Sequence, residues 1–465
     1  MLGPKKPAVR VRRRQDKTLL ALRRQTTYRF PDRFLWGAST SSHQVEGCDI
    51  HSDWWRFERQ PGRVQNFTNF PRFAQEQKSG HWGAFEEDVV RMHQELGLTG
   101  YRFSIDWSRV EPAEGQFDRA AIEQYARMAR LLRENGIRPF VTLFHWSSPD
   151  WIWNHARERE SGWYDPRIVD RFRAFCQQIV PALAPHVDLF CTLNEPNIFL
   201  YGGFSEGILC PGHKVPDEEL VGVMRNLCRA HLAAWHVIKG ENPAAQVGCA
   251  HHFSPVEPQQ GWNPIACLFA ALVEQGFTWC FPDALRDGRF TFTTRSGRSF
   301  VEEIPGLAGT ADFIGMNYYE RFLCRVRWRG ARLPFLEIVH DHHHEKAIWP
   351  KEINTRRFVD MLSRAWKRYK LPIYVTENGR SHPDDAQRLA FLKQHLAALG
   401  HAINDRRIDV RGYFWWSLLD NQEWAGGFLP RLGLYEVNYE TGARRLRETG
   451  RHYAEVIRRA SVTVD

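Results

Sequence analysis

Two short runs carry the residues best equipped for chemistry. Glu195 ends residues 187–195 within Thr192-Leu193-Asn194-Glu195-Pro196-Asn197, and Glu377 ends residues 373–377 within Tyr374-Val375-Thr376-Glu377-Asn378-Gly379. In each, a carboxylate closes an apolar, β-branched stretch and a breaker follows at once. A side chain held there leaves the packed interior and enters the space beyond the strand. A single such glutamate would more often pair with a nearby arginine. Two of them across one cleft can protonate a leaving oxygen from one side and attack an acetal carbon from the other. That is the chemistry of glycosidic-bond cleavage.

The ends of neighbouring apolar runs are polar and aromatic in the same way. They carry His43-Gln44, Arg102 with Asp106, His145-Trp146, Asn317 with Tyr319, and Trp416 followed by Glu423-Trp424. Flat rings beside bidentate polar groups suit a sugar, whose C–H faces stack on indole and whose hydroxyls both donate and accept. Arg102 and Tyr319, if they stand near Glu377, would hold it ionised and oriented.

These residues need a scaffold that brings strand ends together. Eight apolar runs stand out, at residues 34–40, 101–107, 139–146, 187–195, 247–253, 313–319, 373–377 and 410–418. Most are nearly continuously apolar, as buried parallel strands are. Helical spacing falls between them. Ile122, Tyr125, Ala129 and Leu132 predict a helix over 118–135 stopped by Gly136, and Phe85, Val89, Met92 and Leu96 predict one ending at Gly97. Tyr453, Val456, Ile457 and Ala460 predict a closing helix. The alternation predicts an α/β fold, a single (β/α)8 TIM barrel over residues 28–465 with long βα loops. A doubly wound open sheet would want a glycine-rich phosphate turn after its first strand, and Gly37-Ala38-Ser39-Thr40 is not one. In a barrel, strands four and seven face each other across the mouth, so Glu195 and Glu377 can flank one bond.

The motifs resemble glycoside hydrolase family one, the β-glucosidase family. That family carries T-x-N-E-P on strand four and (I/V)-T-E-N-G on strand seven, and both are present. Phe34-Leu35-Trp36-Gly37-Ala38-Ser39-Thr40-Ser41-Ser42-His43-Gln44-Val45-Glu46-Gly47 is similar to its N-terminal signature. Tyr101-Arg102-Phe103-Ser104-Ile105, Phe144-His145-Trp146, Asn317-Tyr318-Tyr319 and the segment from Trp416 to Trp424 match further family segments in order. The resemblance runs from about Tyr28 to the end of the chain. It implies a retaining β-glycosidase with Glu377 as nucleophile and Glu195 as acid/base, their carboxyls about 5–5.5 Å apart. It implies sugar-binding roles for Gln44, His145, Trp146, Asn194, Asn317, Trp416, Glu423 and Trp424, with Trp416 as stacking floor and Trp415 turned to the helix layer. Glu423 would repel a 6-phosphate, which points to unphosphorylated glucosides, galactosides or fucosides. Gly426, Leu432 and Asn197 depart from the family pattern. Residues 147–186 and 197–246 are expected to build the aglycone side. A transglycosylase and a non-catalytic sugar receptor are the alternatives on this scaffold, the latter disfavoured by the presence of both glutamates.

Charge confines the choice of partner. The chain of 465 residues carries 63 basic and 54 acidic side chains. Ten of the basic ones and one acid lie in the first 29 residues, so the rest holds 53 of each sign and is neutral. A basic arm at residues 1–27 is therefore expected to be disordered, and the body has no electrostatic case for nucleic acid. Residues 19–22 are too short an apolar run for an export signal, so a cytoplasmic location is expected, with an organelle transit peptide as the alternative. No run of about 18 apolar residues suggests a membrane span. The nine cysteines are scattered without a CxxC pair, and the histidine-rich cluster at residues 340–345 is expected in a loop away from any strand end. No metal or organic cofactor is expected. The expected partner is a small glycoside or oligosaccharide.

Overall fold

The computed structural model describes residues 26–259, 261–293, 298–327, 335–339, 349–350 and 352–464. The first 25 residues and the cluster at 340–345 lie outside the described residues. Each of the eight apolar runs forms a strand: β1 (Leu35–Ser39), β2 (Gly100–Ser104), β3 (Arg138–Phe144), β4 (Leu189–Asn194), β5 (Gln246–His252), β6 (Phe313–Asn317), β7 (Ile373–Asn378) and β8 (Val410–Trp416). They pair in sequence order, all parallel, and β8 closes onto β1 to complete a barrel.

Aromatic side chains fill the floor of that barrel. The ring of Phe140 on β3 meets Phe313, Tyr374 and Phe414 edge-on at 5.5, 5.7 and 5.5 Å. Burying such a ring is worth about 1.5–3 kcal/mol. Gly37 makes room for Phe414, because a Cβ there would stand 2.3 Å from its ring. With the floor packed, polar side chains at the strand ends have space only at the opposite, C-terminal mouth.

The helices follow the predicted spacing, with local differences. α1 (His81–Arg91) continues into a π-helical turn, Met92–Leu96, before Gly97 stops it in the left-handed region. α2 (Arg119–Glu134) is capped by Asp118, whose carboxylate accepts from the backbone N–H groups of Ala120 and Ala121. α3 (Glu448–Arg459) ends one residue short of expectation. Ala460 sits past it at φ 45° and turns the chain into the strand Ser461–Val464. That strand pairs antiparallel with Thr26–Arg29, so Thr26 and Thr27 belong to the folded body and not to the arm. One helical stretch, Pro264–Asp287, is long and apolar enough by length and composition to cross a membrane, which the sequence reading did not anticipate. It packs Ala266, Ala270, Phe281 and Leu285 inward and leaves Ile265, Leu268 and Leu272 exposed.

Candidate active site

Glu195 sits where β4 turns into a helix. Its φ of 42° lies in the left-handed region, and Pro196 opens the helix Pro196–Leu200 directly after it. Its N–H donates to the Ala250 carbonyl at 2.7 Å, and its own carbonyl accepts from Phe199 N at 2.9 Å. Trp146 at φ 71° and Trp424 at φ 48° adopt the same uncommon conformation. Three non-glycine residues in that region around one mouth mark a site whose geometry the fold imposes.

Glu377, on β7, lies opposite and is 3 % exposed. Its Oε1 accepts from Arg102 Nη1 at 2.5 Å and its Oε2 from Tyr319 Oη at 2.7 Å. Arg102 also donates to Asn194 Oδ1 at 2.7 Å and Thr142 Oγ1 at 3.0 Å. Asn317 Nδ2 donates to Asn194 Oδ1 at 3.1 Å and Glu195 Oε1 at 2.9 Å. One polar layer, Arg102–Asn194–Asn317, therefore ties the two carboxyls into a common frame. Burial raises the Glu377 carboxyl to about 7, against the pull of Arg102, while the Glu195 charge adds to the rise. Arg102 and Tyr319 do favour the carboxylate, as expected, but burial outweighs them.

Aromatic rings form the walls. His145 lies nearly parallel to Trp416, with centroids 5.7 Å apart, and Trp424 packs 4.7 Å from Trp146. Asn194 Nδ2 donates to His145 Nε2 at 2.9 Å, because Asn194 Oδ1 is committed to Arg102. His145 Nδ1 therefore carries the ring hydrogen, and it is buried with no partner among the described residues. Burial, then Arg102, holds this imidazole well below its usual range, so it stays a neutral donor. Glu423 accepts from Gln44 Nε2 at 3.3 Å and Trp416 Nε1 at 3.4 Å, and burial raises it to about 8. Gln44 also donates to Asn421 Oδ1 and the Gln422 carbonyl, which leaves only its buried Oε1 unused. Gln44, Asn194 and Asn317 thus stand behind the wall and not on it. Trp415 faces the helix layer, as expected, donating to the Leu432 carbonyl at 2.9 Å.

Both glutamates open onto one cavity of about 1190 Å³. His145, Trp146, Trp416, Glu423 and Trp424 line its inner part. Residues 58–69, after β1, line its outer part together with Ile198, residues 206–209 and Trp349. Residues 147–186 supply none of the lining, which corrects the expectation for the aglycone side. The segment at 58–69 was not foreseen, because nothing in its composition shows that it folds back over the mouth.

The family model described as glycosyl hydrolase family 1 matches residues 26–462. The chain belongs to glycosyl hydrolase family 1. It is 28 % identical to β-glucosidase A of Thermotoga maritima, over 92 % of this chain and 98 % of that one. It is 29 % identical to β-glucosidase 6 of Oryza sativa, over 90 % and 88 %. Among solved structures, a β-glycosidase from Pyrococcus horikoshii superposes with a TM-score of 0.81 at 32 % identity, covering 94 % of this chain and 96 % of that one. A Thermotoga maritima β-glucosidase in complex with glucoimidazole gives 0.80 at 27 % identity, over 93 % and 99 %. The protein is a β-glucosidase-like glycosidase.

Two features of this family 1 glycosidase escaped the sequence reading. The first is His252, which ends β5 with its Nδ1 3.0 Å from Glu195 Oε1. Its position at a strand end was the signal that identified the other residues. The second is a buried ion cluster behind Trp424. His43 contacts Asp49 and Glu58, Lys78 pairs with Glu58 at 2.6 Å, and Lys78 also donates to Gln422. His43 stacks on Trp424 at 5.7 Å and 10°, so the cluster braces the 422–424 loop. Asp106, Glu46 and Asp420 are structural. Asp106 caps a helical turn, Glu46 accepts from Arg109 and Tyr125, and Asp420 pairs with Arg447 at 2.7 Å. Leu432 packs with Tyr319 and Trp416.

Proposed function

We propose that the protein hydrolyses terminal, unphosphorylated β-D-glucosyl residues, with tolerance for galactosyl and fucosyl units, by double displacement with retention. In the first half-reaction a Glu377 oxygen bonds to the anomeric carbon as the bond from that carbon to the leaving oxygen breaks, and Glu195 gives that oxygen a proton. In the second, water attacks the anomeric carbon, Glu195 takes a proton from it, and the glycosyl ester to Glu377 breaks. Loss of the Glu377 charge in the ester makes Glu195 the stronger acid between the two steps, so one residue serves as acid and then as base.

The observation that carries this reading is the pair of carboxyls opening onto one cavity in different company. Glu377 is gripped by a guanidinium and a phenol, whereas Glu195 is hydrogen-bonded, among the described residues, to an amide and an imidazole. A nucleophile needs ionisation and a fixed direction; an acid/base needs freedom to change state. His145, Trp416, Glu423 and Trp424 line the cavity and would hold the sugar, with Trp146 beside them and Gln44, Asn194 and Asn317 supporting them.

Incubation with a 2-deoxy-2-fluoro β-glucoside should leave a glycosyl group on Glu377, located by peptide mass spectrometry, and the hydrolysis product should form first as the β-anomer. Glu377→Ala should lose at least about 10⁴-fold in kcat. Glu195→Ala should lose about 10²–10⁴-fold on alkyl glucosides and far less on aryl glucosides with activated leaving groups. Label on another residue, or an α-anomer formed first, would refute the proposed route.

A further inference from the structure

The hydrogen-bond donors around His252 fix its protonation. Ser254 Oγ gives its single hydrogen to the Glu320 carbonyl at 2.8 Å, so it can only accept from His252 Nε2, 2.8 Å away. Nε2 therefore carries a hydrogen. On the other side of the ring, Nδ1 lies 3.0 Å from Glu195 Oε1, which already accepts from Asn317. Two lone pairs at that separation would repel, so a proton lies between them. Whether it rests on nitrogen or oxygen, Glu195 and His252 hold one proton together.

The ring cannot easily leave this position. Its face is near-parallel to Phe322 at 5.8 Å and to Tyr319 at 6.0 Å. Its backbone carbonyl accepts from Asn197 Nδ2 at 3.0 Å, and Asn197 also donates to the Phe277 carbonyl. Asn197 is the residue that departs from the family pattern two positions after Glu195, so the turn carrying Glu195 is tied directly to the strand carrying His252.

We propose that His252 is a positioning residue for the acid/base step: it orients Glu195 and holds one proton with it, which suits the enzyme to glycosides with poor, alkyl-type leaving groups. The proposal rests on Glu195 being the acid/base. In the first half-reaction the pair goes from one proton to none as the leaving oxygen is protonated, and the attacking water restores it in the second. The other ionisable groups around the pair are Tyr319 on the loop after β6, Glu377 on β7, Arg102 on β2, Glu423 after β8 and His251 on β5 itself. Among the described residues, His252 is the only ionisable side chain hydrogen-bonded to Glu195.

The test compares His252→Leu and His252→Asn with the unaltered enzyme on 2,4-dinitrophenyl β-glucoside and octyl β-glucoside, as kcat/KM against pH. Octyl glucoside needs a proton on its leaving oxygen, and the dinitrophenyl compound does not. His252→Leu should lose about tenfold or more on octyl glucoside and little on the activated substrate. His252→Asn keeps a polar contact to Glu195, so it should recover part of the rate on octyl glucoside. Equal losses on both substrates would reduce His252 to packing and overturn the proposal. Glu195→Ala runs alongside. If it falls equally on both substrates, the acid/base reading itself fails, which separates the two failures.

Discussion

On the proposed route, Arg102 and Tyr319 set how readily Glu377 attacks. Both donate to its carboxylate, yet burial brings the group to about 7, so the free enzyme should lose nucleophile as pH falls through that value. The expected acid limb of kcat/KM therefore lies near pH 7 and not near 4.5. Tyr319→Phe removes one donor that favours the charged form. A charge-assisted hydrogen bond is worth about 1.5–3 kcal/mol, so the acid limb should move up by about one unit or more, with a fall in kcat below it. A pH–rate profile of the two proteins on an activated aryl glucoside checks this, since that substrate needs no proton from Glu195. An unmoved limb would mean that the Tyr319 hydroxyl does not touch Glu377 in solution.

Closure of the barrel depends on a single hydroxyl more than its position in the sequence suggests. Tyr453 on α3 shares its hydrogen between the Gly37 carbonyl of β1 at 2.9 Å and the Tyr413 carbonyl of β8 at 3.1 Å, at the seam where the last strand meets the first. Tyr453→Phe keeps the ring packed against Trp36 and Tyr413 and loses only this bond. It should cost about 1–2 kcal/mol of unfolding free energy, read by urea titration, with kcat/KM unchanged. The helix was legible in the spacing of Tyr453, Val456 and Ile457; its bond to the seam was not, because that requires two strands from opposite ends of the chain. The same division holds for the site. Glu195, Glu377, Arg102, Tyr319 and the tryptophans could be read as strand ends, since a barrel with a packed floor sends polar residues to one mouth. His252 was readable by the same rule. The cover formed by residues 58–69, and the Lys78–Glu58–His43 brace under Trp424, were not, because loop partners depend on tertiary packing and on no local period. The π turn at Met92–Leu96 leaves a sequence pattern that is still helical.

Charge and burial decide how the whole molecule responds to pH. Removing residues 1–25 takes away nine basic side chains and one acid and leaves a nearly neutral body. The truncated protein should elute earlier from a cation exchanger with unchanged kcat/KM, and a matching loss of activity would show that the arm packs on the barrel. In that body, burial first of all raises Glu46 to about 8, Asp53 to about 7 and Glu423 to about 8, while His43 is lifted to about 9, its carboxylate partners Asp49 and Glu58 overcoming burial. Above about pH 5 these carboxyls keep protons that the unfolded chain has released, so their stabilisation is lost as pH climbs toward 8. The contribution of His43 is fully present below about 6.5 and is lost as pH passes 9. On the other side, burial lowers His231 to about 4 and His251 and His395 to about 3, and the unfolded chain protonates those rings below about 6.5. Their contribution disappears as pH falls. The melting temperature should therefore peak near pH 5–6 and decline toward pH 9. Asp53 accepts from Ser148 N and Trp153 Nε1, and burial outweighs the opposing pull of His43, so Asp53→Asn removes one retained proton from the balance. Between pH 5 and 7 the variant's free energy of unfolding should fall less steeply, by about 1.4 kcal/mol per pH unit. Parallel curves for the two proteins would mean that Asp53 is ionised in the folded state and that the alkaline decline originates elsewhere.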